Sequence, residues 1–215
     1  MGRARRLRRD RRLPRERRQR VSHRRHLRHR RGLRDFLKAW AIAAIAFALA
    51  GCASSAQLLW EEYTSAGLEA FAAGQYGRAE LYLNRAAQKA EDLGPRELGR
   101  SLNNLGEVAR RRGRPMEAER FFQRAVAVKE TGLGLDHPDV ATSLNNLAQV
   151  YLTQSRERDA VPVLERSLRI QEKALDAEHP ALRRTLTVLA ETYRRVGRAA
   201  DAFVMEVRLR LLRPE

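Results

Sequence analysis

The sequence predicts an all-α fold, an α-solenoid of about four helical hairpins. Two observations carry this reading. First, Ser101-Leu102-Asn103-Asn104-Leu105 returns 42 residues later as Ser143-Leu144-Asn145-Asn146-Leu147, and Thr185-Leu186-Thr187-Val188-Leu189 stands a further 42 on. Asp136-His137-Pro138 likewise returns as Glu178-His179-Pro180, and Ala118, Ala160 and Ala202 keep the same register. A fixed period of this size marks repeated supersecondary units, each burying its apolar face only against its neighbours. Second, Leu102, Leu105 and Ala109 are spaced i, i+3, i+7, one face of a helix. Gly113 interrupts that helix, and Ala118, Phe122 and Ala125 form the apolar stripe of a second.

The chain begins with a segment of different character. Residues 1–51 hold 18 Lys/Arg and 3 Asp/Glu, a net of +15, so most of the formal +17 lies there. The remaining residues hold 25 Lys/Arg and 23 Asp/Glu, an ordinary near-neutral balance. Residues 3–31 are dominated by arginine, which leaves no apolar face to bury and predicts disorder in the free state. An arginine-rich arm suggests nucleic acid. Against that, no aromatic residue stands among residues 1–35 to stack on bases. His23, His26 and His29 recur every third residue but sit among mutually repelling arginines, so no metal site is expected there.

From Ala39 to Gly51 runs an uncharged, mostly apolar stretch of 13 residues. A spanning helix needs roughly 20, so this length fits a signal-peptide core instead. It ends Leu49-Ala50-Gly51-Cys52, followed by Ala53-Ser54-Ser55. An aliphatic residue, two small residues and a cysteine resemble a lipobox, the cleavage signal of bacterial lipoproteins. The resemblance implies that residues 1–51 are removed, that the Cys52 thiol carries diacylglycerol, and that residues 52–56 tether the rest to a membrane. It also implies a bacterial cell envelope. Ala53 and Ser54 lack the acidic inner-membrane retention signal, which favours the periplasmic face of the outer membrane. The basic region before the apolar run is long for a signal peptide, and a true start at Val21 or Leu33 would shorten it. Cys52 is the only cysteine, so no intrachain disulfide is expected.

The repeat region is expected over 57–212, with units at about 57–92, 96–131, 138–173 and 180–212. Gly74, Gly113, Ser155 and Gly197 mark the turns inside the hairpins. In this scheme Gly106, Ala148 and Ala190 face Ala118, Ala160 and Ala202, letting paired helices approach closely. Leu144-Leu147-Ala148-Tyr151 with Ala160-Leu164 resembles the tetratricopeptide repeat, in which helix A carries a large residue, Leu, a small residue and an aromatic. In that family helix B carries Ala, a large apolar residue and Ala. Ser167 replaces the last Ala in this unit. Leu186-Leu189-Ala190-Tyr193 with Ala202 also fits, but Glu206 stands where the large apolar residue belongs. The first unit, Tyr63-Gly67-Ala70 with Ala79-Leu83-Ala86, is divergent. The 42-residue period and the string from His137 to Ala148 look most like the kinesin-light-chain type.

The resemblance implies a groove, lined by the first helices, that receives a protein or peptide segment. The candidate groove residues are Asn103, Asn104, Glu107, Arg110, Asn145, Asn146, Gln149 and Arg194. An asparagine amide both donates to and accepts from a peptide backbone, whatever its side chains. The competing role for one asparagine of each pair is a bond to the neighbouring repeat. Arg111, Arg114, Arg195 and Arg198, with Arg156 and Arg158, could form a basic edge or simply solvated helix ends. His137 and His179 precede a proline that starts a helix, a loop role rather than a metal site. Helix B of the last unit carries Ala202, Phe203, Val204, Met205, Val207, Leu209, Leu211 and Leu212, more apolar residues than one buried stripe uses. A homodimer or docked partner could cover the surplus. No phosphate loop, serine nucleophile elbow or metal set is present, so neither catalysis nor a cofactor is expected. The protein therefore reads as a membrane-anchored interaction scaffold. The alternative keeps the arginine tract as the nucleic-acid-binding arm of a cytoplasmic adaptor.

Overall fold

The computed structural model describes residues 55–176 and 179–212. The arginine tract, the apolar run and Cys52 lie outside the described residues. Among the described residues there are eight helices and no strand: α1 (55–72), α2 (Tyr76–Ala90), α3 (Pro95–Arg111), α4 (Pro115–Leu133), α5 (Pro138–Thr153), α6 (Glu157–Ala174), α7 (Pro180–Arg195) and α8 (Ala199–Leu211). α3 pairs with α4, α5 with α6 and α7 with α8, and each pair packs on the next, as a solenoid requires; α1 meets α2 where Ala70 clusters with Ala79 and Leu83.

Local chemistry sets the ends. Pro95, Pro115, Pro138 and Pro180 occupy first helical positions, where the missing N–H costs nothing and φ is already helical. Before α5 and α7, His137 Nδ1 accepts from the Asp139 N–H and His179 Nδ1 from the Ala181 N–H, each at 3.1 Å. The two loop histidines are thus helix caps. Each turn inside a pair closes in the same way: Gln75, Arg114, Arg156 and Arg198 donate their N–H to the carbonyls of Ala70, Ala109, Tyr151 and Tyr193 at 2.8–2.9 Å. That closure needs a left-handed residue one position earlier. Glycine supplies it three times, and Ser155 supplies it at φ 55°.

The core is shared between neighbours. Ala70, Ala79 and Leu83 of the first pair cluster with Leu105 and Val108 of the second. Val126 of the second clusters with Val140, Ala141, Leu144 and Ile170 of the third. The largest cluster joins the last three pairs around Phe122, Leu147, Leu164, Leu186 and Leu189. Ala118, Ala148, Ala160, Ala190 and Ala202 are all buried, and a Cβ on Gly106 would lie 2.7 Å from the Phe122 ring. Ser167, in place of the pattern's last alanine, is buried and donates to the Ala141 carbonyl at 3.1 Å. Glu206, in place of a large apolar residue, is half-buried and ion-pairs with Arg194. On α8, Met205, Leu209 and Leu212 pack on the core, whereas Phe203, Val204 and Leu211 are exposed.

Candidate functional site

The first helices α3, α5 and α7 stand side by side, with α6 behind them. Between them lies an open recess of about 370 Å³. Its lining includes Glu107 and Arg110 from α3, Thr142, Asn145, Asn146 and Gln149 from α5, Leu164 and Gln171 from α6, and Ala181, Arg184, Thr185 and Val188 from α7. Five of the eight expected groove residues therefore meet in one place. Asn104 is half-buried on α3 and is not part of this lining, nor is Arg194, which is exposed and paired with Glu206.

The asparagine pairs divide their work. Asn103 is buried, and its Nδ2 donates to Ser143 Oγ at 3.0 Å. One unit later Asn145 Nδ2 donates to Thr185 Oγ1 at 3.0 Å. These first members bridge consecutive units, so they are seam residues, with Asn145 also reaching the recess. Of the two roles open to each pair, Asn103 and Asn145 thus take the bond to the neighbouring repeat. Asn146, about 100° further round the helix, and Gln149, one turn beyond Asn145, also line the recess. Thr187 and Val188 replace the pair in the last unit; Thr187 Oγ1 donates back to the Arg183 carbonyl and Val188 gives the recess an apolar wall.

The recess has a mixed electrostatic lining. Glu107 accepts from Arg110 Nε at 2.8 Å and Nη2 at 2.6 Å, and from Arg111 Nε at 3.1 Å. Burial pushes the Glu107 carboxyl up, but the hydrogen bonds from Arg110 and Arg111 outweigh it and hold the group below its usual range. The same pairing holds Arg110 above its usual value. Glu107 is thus already partnered, and Arg110 and Arg184 bring positive charge to the lining. Two acceptors lack any donor: the buried Oδ1 of Asn145 and the buried Oε1 of Gln171. A buried acceptor left unpaired costs about 1–3 kcal/mol.

The six arginines proposed as a basic edge are mostly occupied. Arg114 pairs with Glu80 and Glu117, Arg156 with Glu119 and Asp159, and Arg198 with Glu165 and Asp201. Arg156 and Arg198 also lie over the Tyr151 and Tyr193 rings, each 4.4 Å from the centroid. Arg111 pairs with Glu107 and Arg195 with Glu157. These contacts tie each turn to the unit before it and leave little free charge.

Thr142, Leu164, Gln171, Ala181, Arg184, Thr185 and Val188 belong to the recess but were not among the expected residues. The register itself held the signal: Arg184 stands 42 residues after Thr142, Thr185 after Ser143, and Gln171 after Lys129. Lys129 is 2% exposed. Its Nζ donates to Ser143 Oγ at 2.9 Å and to the Asp139 carbonyl at 3.1 Å. Among the described residues, no group of three or more His, Cys, Asp or Glu side chains is placed to hold a metal ion.

Residues 97–173 match the tetratricopeptide repeat family model. A comparison with curated proteins found no match. Among solved structures, a kinesin light chain protein of Podosopora anserina with nearly identical TPR-like repeats is similar, at 24% identity and TM-score 0.58, over 71% of this chain and 74% of that one. BtubC (BKLC) from P. vanneervenii is similar at 20% identity and TM-score 0.64, over 75% and 72%. Aspartyl phosphate phosphatase F from Bacillus subtilis is similar at 15% identity and TM-score 0.62, over 74% of this chain and 40% of that one. The described fold is thus an all-α solenoid of tetratricopeptide-type hairpins, with the repeat family's own pattern across α3 to α6.

Proposed function

We propose that this protein is a lipid-anchored scaffold of a bacterial cell envelope, presenting the recess between α3, α5 and α7 to a polypeptide partner. The tetratricopeptide fold is generally a binding scaffold without chemistry of its own. The observation that carries the reading is the recess: Asn146 and Gln149 line it beside two guanidinium groups and the apolar Leu164 and Val188. Amide donors and acceptors over an apolar floor suit an extended segment, whose backbone offers both partners at each residue. The exposed Phe203, Val204 and Leu211 of α8 make a second surface, at which another copy of the chain would dock.

The anchor rests on the sequence Leu49-Ala50-Gly51-Cys52. One acyl chain gives only marginal membrane binding, and stable anchoring takes two signals, which diacylglycerol on Cys52 would supply. Mass spectrometry of the protein from membranes should find an N-terminus at Cys52 bearing lipid, and Cys52→Ser should leave the unprocessed chain. A mature protein that retains its arginine tract, or a Cys52→Ser variant processed like the parent, would remove the envelope reading and favour the nucleic-acid-binding adaptor.

A further inference from the structure

In each seam the second helix of one pair receives the first helix of the next: α2 receives α3, α4 receives α5 and α6 receives α7. The two ends of the described array, α1 and α8, are finished in opposite ways. Ser101, Ser143 and Thr185 bond the preceding pair, and Val108, Val150 and Thr192 are buried one register further along. At these two registers α1 carries Glu62 and Glu69, both exposed. Carboxylates resist transfer out of water, and a polar outer face is how a solenoid end is capped. On α8 the change runs the other way. The second helices before it hold the next turn's arginine on Glu80, Glu119 or Glu165. At the Glu119 and Glu165 registers α8 carries Phe203 and Val207, so it is not built to receive a fifth pair of the same plan.

With about 100° between successive positions, Ala200, Val204, Val207 and Leu211 form one stripe, opposite the Met205, Leu209 and Leu212 that pack on the core. Val204 and Leu211 are 50% and 79% exposed. The stripe matches itself when the helix is turned end for end: Ala200 falls opposite Leu211, and Val204 opposite Val207. Along one edge the same turn brings Phe203 to the second copy's Arg210, a guanidinium beside an aromatic ring. Along the other it brings Asp201 to the second copy's Arg208, opposite charges. We infer that α8 is a two-fold self-association site, on which a second copy of this chain packs its own α8 antiparallel. The inference rests on the docking of another copy proposed above and gives that contact its face and direction. A head-to-tail contact would need α1, whose outer side Glu62 and Glu69 close, whereas a two-fold contact ends at two copies. One pair of helices about 20 Å long covers less than the roughly 1,200 Å² of a standard interface, so the dimer is weak and dissociates on dilution.

The test is disulfide trapping in the full chain with Cys52→Ser, which makes an engineered thiol the sole one. Ala200→Cys and Leu211→Cys chains, mixed at high concentration and mildly oxidised, should link to each other. Neither should link to itself, because like positions lie about 16 Å apart along the antiparallel pair. Val204→Lys added to both chains, at an exposed position, should lower the yield on the order of tenfold or more with the helical signal retained. No link in any pairing would overturn the inference together with the docking reading. Links only between like positions would overturn the antiparallel arrangement and leave docking at α8 standing. A mixed link that Val204→Lys does not diminish would reflect random collision and overturn the site. The groove reading is tested separately at Gln149 and survives each of these results.

Discussion

Single residues here carry roles that residue type alone hides. Lys129 is the sharpest case. Burial lowers its pKa to about 8, Asp139 opposing and Arg100 reinforcing the shift. Below about pH 8 the lysine is charged in both the folded and unfolded states, so the burial cost is fully present. Between about 8 and the ordinary value of 10.5, the folded protein gives up its proton first, and stability rises with pH. Lys129→Met lacks this linkage. Urea titrations across that window should show the wild type gaining about 3 kcal/mol relative to the variant; parallel curves would mean that the ammonium is not desolvated. Ser155 shows the opposite kind of hidden cost. It adopts the left-handed φ that glycine takes at the other three turns. Ser155→Gly should stabilise the protein by about 1 kcal/mol, the Cβ penalty offset in part by glycine's looser unfolded state, and a lower melting temperature would contradict that. The glycine pattern made Ser155 legible as a turn. Nothing marked Lys129 as buried, because a lysine late in a helix reads as solvated, and only its register with Ala90 and Gln171 points inward.

At the scale of elements, helix identity and pairing were legible from apolar spacing, helped by a proline at the start of α3, α4, α5 and α7 and by a turn residue inside each pair. The groove was legible only in part. The spacing showed that two asparagines recur but could not say which of two adjacent side chains faces the next unit. The structure resolves this through hydroxyls at Ser143 and Thr185, each fixed by its own helix carbonyl and receiving the asparagine of the preceding unit. Asn103→Ala with Asn145→Ala removes two of these bridges, each worth about 0.5–1.5 kcal/mol. The double variant should therefore melt several degrees lower with its helical signal retained in the cold. An unchanged melting temperature would show that the seams do not depend on these amides. The α7–α8 pair was the least legible element, since its Thr187 and Val188 break the asparagine pattern and Glu206 breaks the apolar one. The structure accommodates all three: Thr187 bonds its own helix, Val188 faces the recess and Glu206 finds Arg194.

For the molecule as a whole, one sequence period produces both the shared core and the recess. Repetition stacks the pairs so that each core cluster is shared, and the same stacking sets α3, α5 and α7 side by side. The recess arises where the repeat departs from itself, with Gln171 and Leu164 replacing Lys129 and Phe122. Its polar lining followed from the asparagine register, whereas its position required the third dimension, because the residues come from four helices. The central claim is that this face receives a polypeptide. It is tested most directly by placing a photocrosslinking amino acid at Gln149, inside the recess, and separately at Arg169, exposed on α6 and absent from the recess lining, in cells of the source organism. The account predicts a discrete protein adduct from position 149, absent from position 169 and lost when Asn146→Ala and Arg184→Ala are combined. An adduct formed equally from both positions, or none from position 149, would contradict it.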